Sequence, residues 1–140
     1  MNGPAFTLFD TGIGRCGIAW GERGIVAVQL PEAREAETRA RLVGRFPDAR
    51  EGDPPSEIAA GIDAIVALLR GEARDLSGIV LDMDGVPDFH SRVYAVARAI
   101  APGATMTYGE VAARLKEPGA ARAVGQALGR NPFPIIVPCH

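Results

Sequence analysis

Two groups of residues have types and spacings that could do chemistry. The first is Pro138-Cys139-His140 at the end of the 140-residue sequence. A cysteine attacks as its thiolate, and an imidazole beside it can take the thiol proton directly or through a water. Adjacent side chains usually diverge, so a small buried cysteine beside a terminal histidine remains open on spacing alone. The second group is the run from Ala120 to Leu128, in which Arg122 is the one long charged side chain among Ala120, Ala121, Ala123, Gly125 and Gln126. A helix that reads the major groove needs several bidentate side chains, and this one has almost none. Small side chains instead let a helix approach a minor groove only about 6 Å wide, with Arg122 as a wedge for a base turned out of the stack. Close helix packing is the alternative use of the same alanines and glycines.

These residues need elements to hold them. Gly119 to Gly129 reads as a helix with Ala121, Val124 and Leu128 on one face. Thr107 and Glu110 have capping-box spacing and open a shorter helix with Val111 and Leu115. The turn at Lys116 to Gly119 makes the two a helix-turn-helix outline. Before them, Asp88 can cap a helix carrying Val93, Val96, Ala97 and Ile100, stopped by Pro102-Gly103. After them, Asn131-Pro132-Phe133-Pro134 breaks the helix, and Ile135 to Val137 is expected to be a buried extended run.

The first part of the chain reads differently. Ala5 to Phe9, the Gly-punctuated stretch to Trp20, and Gly24 to Leu30 predict a three-stranded antiparallel meander turning at Gly21 to Gly24. Glu32 to Phe46 predicts a helix with a solvated face. Ser56 is expected to cap a second helix with Ile58, Ile62, Ile65, Val66 and Leu69 as its stripe. Leu76 to Met83 is expected to return as a strand. Cys16 and Trp20 read as core, and His90 as an outward-facing residue at a helix start. The expected domains are 1–84 and 85–140, divided at Asp84-Gly85-Val86-Pro87.

Composition narrows the classes. A chain 47% hydrophobic and 23% charged is not disordered. Its net charge of −2 excludes a partner held by bulk electrostatics, but the average hides a contrast. Residues 1–84 carry nine Arg against fourteen Asp and Glu, net −5, and residues 85–140 carry six Lys and Arg against three, net +3. An anionic partner is therefore expected on the second part. Two cysteines make no disulfide framework and no zinc spacing, so no metal is expected. No segment approaches the roughly 20 apolar residues of a membrane span, and a cytoplasmic protein is expected.

Phe89-His90-Ser91-Arg92-Val93-Tyr94, Pro102-Gly103, Thr107-Tyr108-Gly109-Glu110-Val111-Ala112, Ala120-Ala121-Arg122-Ala123-Val124-Gly125, Asn131-Pro132 and Ile135 to His140 together resemble the C-terminal domain of the methylated-DNA–protein-cysteine methyltransferases, the O6-alkylguanine-DNA alkyltransferases. Order, gaps and residue types match over 88–140, whereas 1–84 resembles the family's variable N-terminal domain more loosely. The resemblance implies an α+β fold, with a ribonuclease H-like N-terminal sheet and helices and a mostly helical, winged-helix-like DNA-binding domain. It implies a monomer that binds duplex DNA containing O6-alkylguanine through the minor groove, without a cofactor. Cys139 then resembles the alkyl acceptor and His140 its water-linked base. Arg122 resembles the arginine finger, on a DNA-facing side that includes Ala121, Ala123 and Gly125. Tyr108 resembles the tyrosine that helps rotate the nucleotide and donates to the base, and Asn131 the hinge asparagine. Leu128 and Pro134 fall where the family lines its alkyl pocket.

The sequence departs from the family after Pro-Cys-His. The usual continuation has an Arg, a guanine-recognising loop and a helix with a Glu that orients the histidine, so the expectation is a chain truncated after this motif. The alternative function is a non-enzymatic, alkyltransferase-like protein that binds alkylated DNA without repairing it.

Overall fold

Alternation builds the first sheet. In β1 (Ala5–Thr11) Phe6 and Leu8 point inward, and in β2 (Gly14–Gly21) burial runs unbroken from Cys16 to Trp20, as a central strand requires. β1 and β2 pair antiparallel, as do β2 and β3 (Gly24–Gln29), which delivers the expected meander. A computed structural model describes residues 3–100 and 104–138 of the chain, which divides into two compact units, Met1–Asp82 and Met83–His140.

The first unit departs from the expected sheet in two places. The two-residue β4 (Arg50–Glu51) pairs parallel with β1, so the order is β3-β2-β1-β4 and the sheet is mixed. The expected strand at Leu76 to Met83 shrinks to a single bridge between Ile25 and Leu81. Ile25 N–H donates to Val80 C=O at 3.0 Å and Asp82 N–H to Ile25 C=O at 2.8 Å. Gly24 permits this approach: at φ 128°, a Cβ there would stand 2.6 Å from the Val80 oxygen.

Helix α1 (Glu35–Arg45) starts three residues later than Glu32 and buries Thr38 and Leu42. Leu42 packs with Phe6, Ala19 and Ala27. Helix α2 (Ser56–Leu69) begins with Ser56 as its first helical residue; Pro55 is the cap, so the serine makes no capping bond. Its buried line is Ile58, Gly61 and Ile65, with Ile62, Val66 and Leu69 half-buried, because Ile79 lies over Gly61. Cys16 and Trp20 are core residues.

The second unit contains α3 (Asp88–Arg98), α4 (Tyr108–Arg114) and α5 (Ala121–Gly129). Asp88 lies inside α3 and Pro87 takes the cap position, so the aspartate makes no capping bond and sits in the first turn, where the helix dipole favours a negative charge. The expected stop at Pro102-Gly103 lies outside the described residues. His90 is half-buried, its ring edge-on to Tyr94 at 6.2 Å, rather than outward. Val93, Tyr94 and Ala97 of α3, Val111 and Ala112 of α4, and Val124, Ala127 and Leu128 of α5 form the buried faces. The run Ile135 to Val137 is not extended: Pro134 bridges Val137 across a turn, with Ile135 at φ 78°. Among the described residues no helix is long and apolar enough to cross a membrane.

Candidate nucleic-acid interface

Helix α4 is positioned by its first turn. Thr107 Oγ1 accepts from Glu110 N–H at 3.0 Å, and Glu110 Oε1 accepts from Thr107 N–H at 3.1 Å, the reciprocal bonds of a capping box. The Thr107 backbone donor holds the Glu110 carboxyl below the usual carboxylate range. Tyr108, the first residue inside the helix, is 42% exposed. Its ring lies against α5 at Gly125, where a Cβ would meet Tyr108 Cε2 at 3.0 Å and Cδ2 at 3.2 Å.

That contact joins two of the expected site residues. Arg122 stands three residues before Gly125, on the neighbouring turn of the same helix face, and is exposed. Ala121, Ala123 and Gly125 are half-buried and Gln126 is exposed. The outer side of α5 is therefore low and nearly bare, with one guanidinium rising from it and a phenol at its edge. Leu128 lies on the opposite, buried face.

The end of α5 is tied to the segment that follows. Asn131 Nδ2 donates to Val137 C=O at 2.9 Å, and Asn131 Oδ1 accepts from Phe133 N–H at 2.8 Å. Val137 N–H donates to Phe133 C=O at 2.8 Å, closing the turn that contains half-buried Pro134. One amide thus fixes both the exit from the helix and the residue two before Cys139. Cys139 and His140 themselves lie outside the described residues.

Sequence reasoning gave no role to two side chains that hold this arrangement. Tyr94, fully buried on α3, donates its hydroxyl to Ala127 C=O at 2.7 Å, and burial pushes its phenol pKa up. Arg92 reaches from α3 to the α4–α5 turn. A polar tip on an otherwise apolar helix face was the available signal for Tyr94; for Arg92 none distinguished it from a solvated cation. Among the described residues no group of His, Cys, Asp and Glu could hold a metal.

The sequence model described as "6-O-methylguanine DNA methyltransferase, DNA binding domain" matches residues 88–140, which contain this whole arrangement. The crystal structure of Mycobacterium tuberculosis O6-methylguanine methyltransferase superposes with a TM-score of 0.77 at 32% identity, covering 98% of this chain and 76% of that one. The chain belongs to the O6-methylguanine DNA methyltransferase family. Its α+β fold is that of the family. A methylated-DNA–protein-cysteine methyltransferase of Methanothermobacter thermautotrophicus is 36% identical over 124 residues, 89% of this chain and 63% of that protein. This family member thus spans less than two thirds of that curated relative's length. Mycobacterium tuberculosis OGT in complex with DNA also matches, with a TM-score of 0.71 and 32% identity over 97% of this chain and 76% of that one.

Proposed function

We propose that this chain repairs O6-alkylguanine in duplex DNA by moving the alkyl group irreversibly to Cys139, and that residues 85–140 carry the reaction. One observation carries the reading: the outer side of α5 is too bare to read a major groove, yet holds exposed Arg122 beside the Tyr108 ring packed on Gly125. Family membership supports the reaction class. The DNA held by the similar Mycobacterium tuberculosis protein supports the partner.

Helix α5 enters the minor groove, where Ala121, Ala123 and Gly125 let its backbone come close. Arg122 fills the gap left by the rotated nucleotide, offsetting part of the unstacking cost of a few kcal/mol. Tyr108 flanks the extruded guanine and donates a hydrogen bond to it. His140 takes the Cys139 proton through a water, and the thiolate attacks the alkyl carbon. The S–C bond forms as the C–O6 bond breaks, its electron pair stays with guanine, and a proton returns to the base. Leu128 and Pro134 are assigned to the alkyl pocket, and Asn131 keeps the Cys139 segment registered to α5. Atoms and electrons balance between thiol and lesion alone. A thioether is a poor leaving group, so each copy acts once, and a single copy suffices for one lesion, making the proposed active unit a monomer.

Incubating the chain with a duplex containing O6-methylguanine tests this. The Cys139 peptide should gain the mass of a methyl in place of a hydrogen, and Cys139→Ala should abolish the gain. Lesion binding with an unchanged peptide mass would replace the transferase reading with the lesion-binding one. Neither binding nor transfer would overturn both.

A further inference from the structure

The turn between α4 and α5 contains a strained residue, and one side chain from α3 grips both of its neighbours. Helix α4 ends in two nested bonds: Lys116 N–H donates to Ala113 C=O at 3.0 Å and Glu117 N–H to Ala112 C=O at 3.0 Å. This is the Schellman pattern, whose left-handed position glycine usually fills. Here Lys116 occupies it with φ 61°, although its Cβ crowds the following carbonyl. Gly119 at φ 94° completes the reversal, and Ala120 N–H donates to Glu117 C=O at 3.1 Å. Arg122 follows three residues after Gly119, so the backbone at Lys116 sets the direction in which α5 presents it.

Arg92 holds this turn from both sides. Its Nη2 donates to Leu115 C=O at 2.9 Å, and its Nη1 lies 3.2 Å from Glu117 Oε2. Leu115 and Glu117 are the residues before and after Lys116. We propose that Arg92 is a positioning residue for the DNA-binding helix: by gripping Leu115 and Glu117 it keeps Lys116 left-handed and so fixes how α5 offers Arg122. The inference rests on the DNA-repair reading above. The ion pair itself is 44% and 47% exposed, which makes its own contribution to stability small. The planar guanidinium matters because one rigid fork meets a carbonyl and a carboxylate together, which an ammonium does not reproduce.

The test compares the whole chain with Arg92→Gln, Arg92→Lys and Arg92→Gln combined with Lys116→Gly. Lesion-duplex affinity, thermal midpoint and amide exchange of the 115–120 turn without DNA are measured on each. Arg92→Gln should weaken binding about tenfold, the scale of one charge-assisted hydrogen bond, with a nearly unchanged midpoint and faster exchange in the turn. Arg92→Lys should recover only part of the affinity. Adding Lys116→Gly should recover most of it, because glycine takes the left-handed conformation without a brace. A merely stabilising Arg92 would shift the midpoint and leave the affinity of the folded protein alone. Arg92→Gln binding as well as the parent, or no recovery with Lys116→Gly, overturns the proposal. If the parent chain binds no lesion DNA, the repair reading fails by itself. The exchange arm then still decides the brace: faster turn exchange supports it and unchanged exchange overturns it.

Discussion

At the residue scale, Gly125 decides where the Tyr108 ring can lie. Ala would be the better helix former by about 1 kcal/mol, so Gly125→Ala should leave the melting temperature equal or higher. Its Cβ would press on a ring carbon 3.0 Å away, and the ring would have to swing off the helix. Alkyl transfer should therefore fall while the fold holds; transfer at the parent rate would show that the contact is idle. Asn131→Asp keeps the acceptor for Phe133 N–H but loses the donor to Val137 C=O, a loss worth roughly 1–3 kcal/mol. Native-state exchange at Phe133 and Val137 should report it. The small-residue face and its lone arginine were legible in the sequence because they are properties of residue type. The partners of Asn131 were not, since both contacts of its side chain are with backbone groups whose placement depends on the Pro134 turn. Ile135 shows the limit most plainly: a β-branched residue between apolar neighbours reads as extended, and the structure puts it at φ 78°.

At the element scale, the capping box of α4 makes a helix of seven residues possible. Thr107→Ala should cost about 1 kcal/mol, measured by denaturant unfolding. The acid limb follows from the Glu110 carboxyl, which the folded state holds below its usual range. Its contribution is complete above the ordinary Glu value of about 4.3 and disappears as pH falls through the lowered folded value. Glu110→Gln should flatten that part of the stability profile; an unchanged acid limb would show that other carboxylates govern it. This box was readable because both partners lie within four residues. The caps expected from Ser56 and Asp88 failed for a related reason: each follows a proline, and Pro55 and Pro87 take the cap position and shift both side chains one place into their helices. β4 carried no pattern at all, because two polar residues, Arg50 and Glu51, pair only through backbone.

At the scale of the whole molecule, charge is divided along the chain and partly tied up. In the first unit, Asp10, Arg15, Glu35, Arg39 and Glu51 form an alternating chain of ion pairs across β1, β2, α1 and β4. Asp10 and Glu35 together raise the Arg15 pKa, with the Asp10 hydrogen bond foremost. These cations face carboxylates and are poorly placed to meet phosphates. The second part has six Lys and Arg, which bounds the salt dependence of DNA binding: log affinity against log salt should be no steeper than about −5. A steeper slope would bring the first unit onto the DNA. If Arg122 is the proposed wedge, Arg122→Ala should lower affinity by roughly 1–3 kcal/mol with little change in slope, since a side chain in the base stack neutralises no phosphate. On the proposed reading each copy acts once and must keep while it waits. Asparagines age by cyclising onto the next residue's amide nitrogen, and Asn131 is followed by Pro132, which offers no N–H. The Asn131 amide, which ties the end of α5 to Val137, is thereby shielded from the commonest route of spontaneous decay.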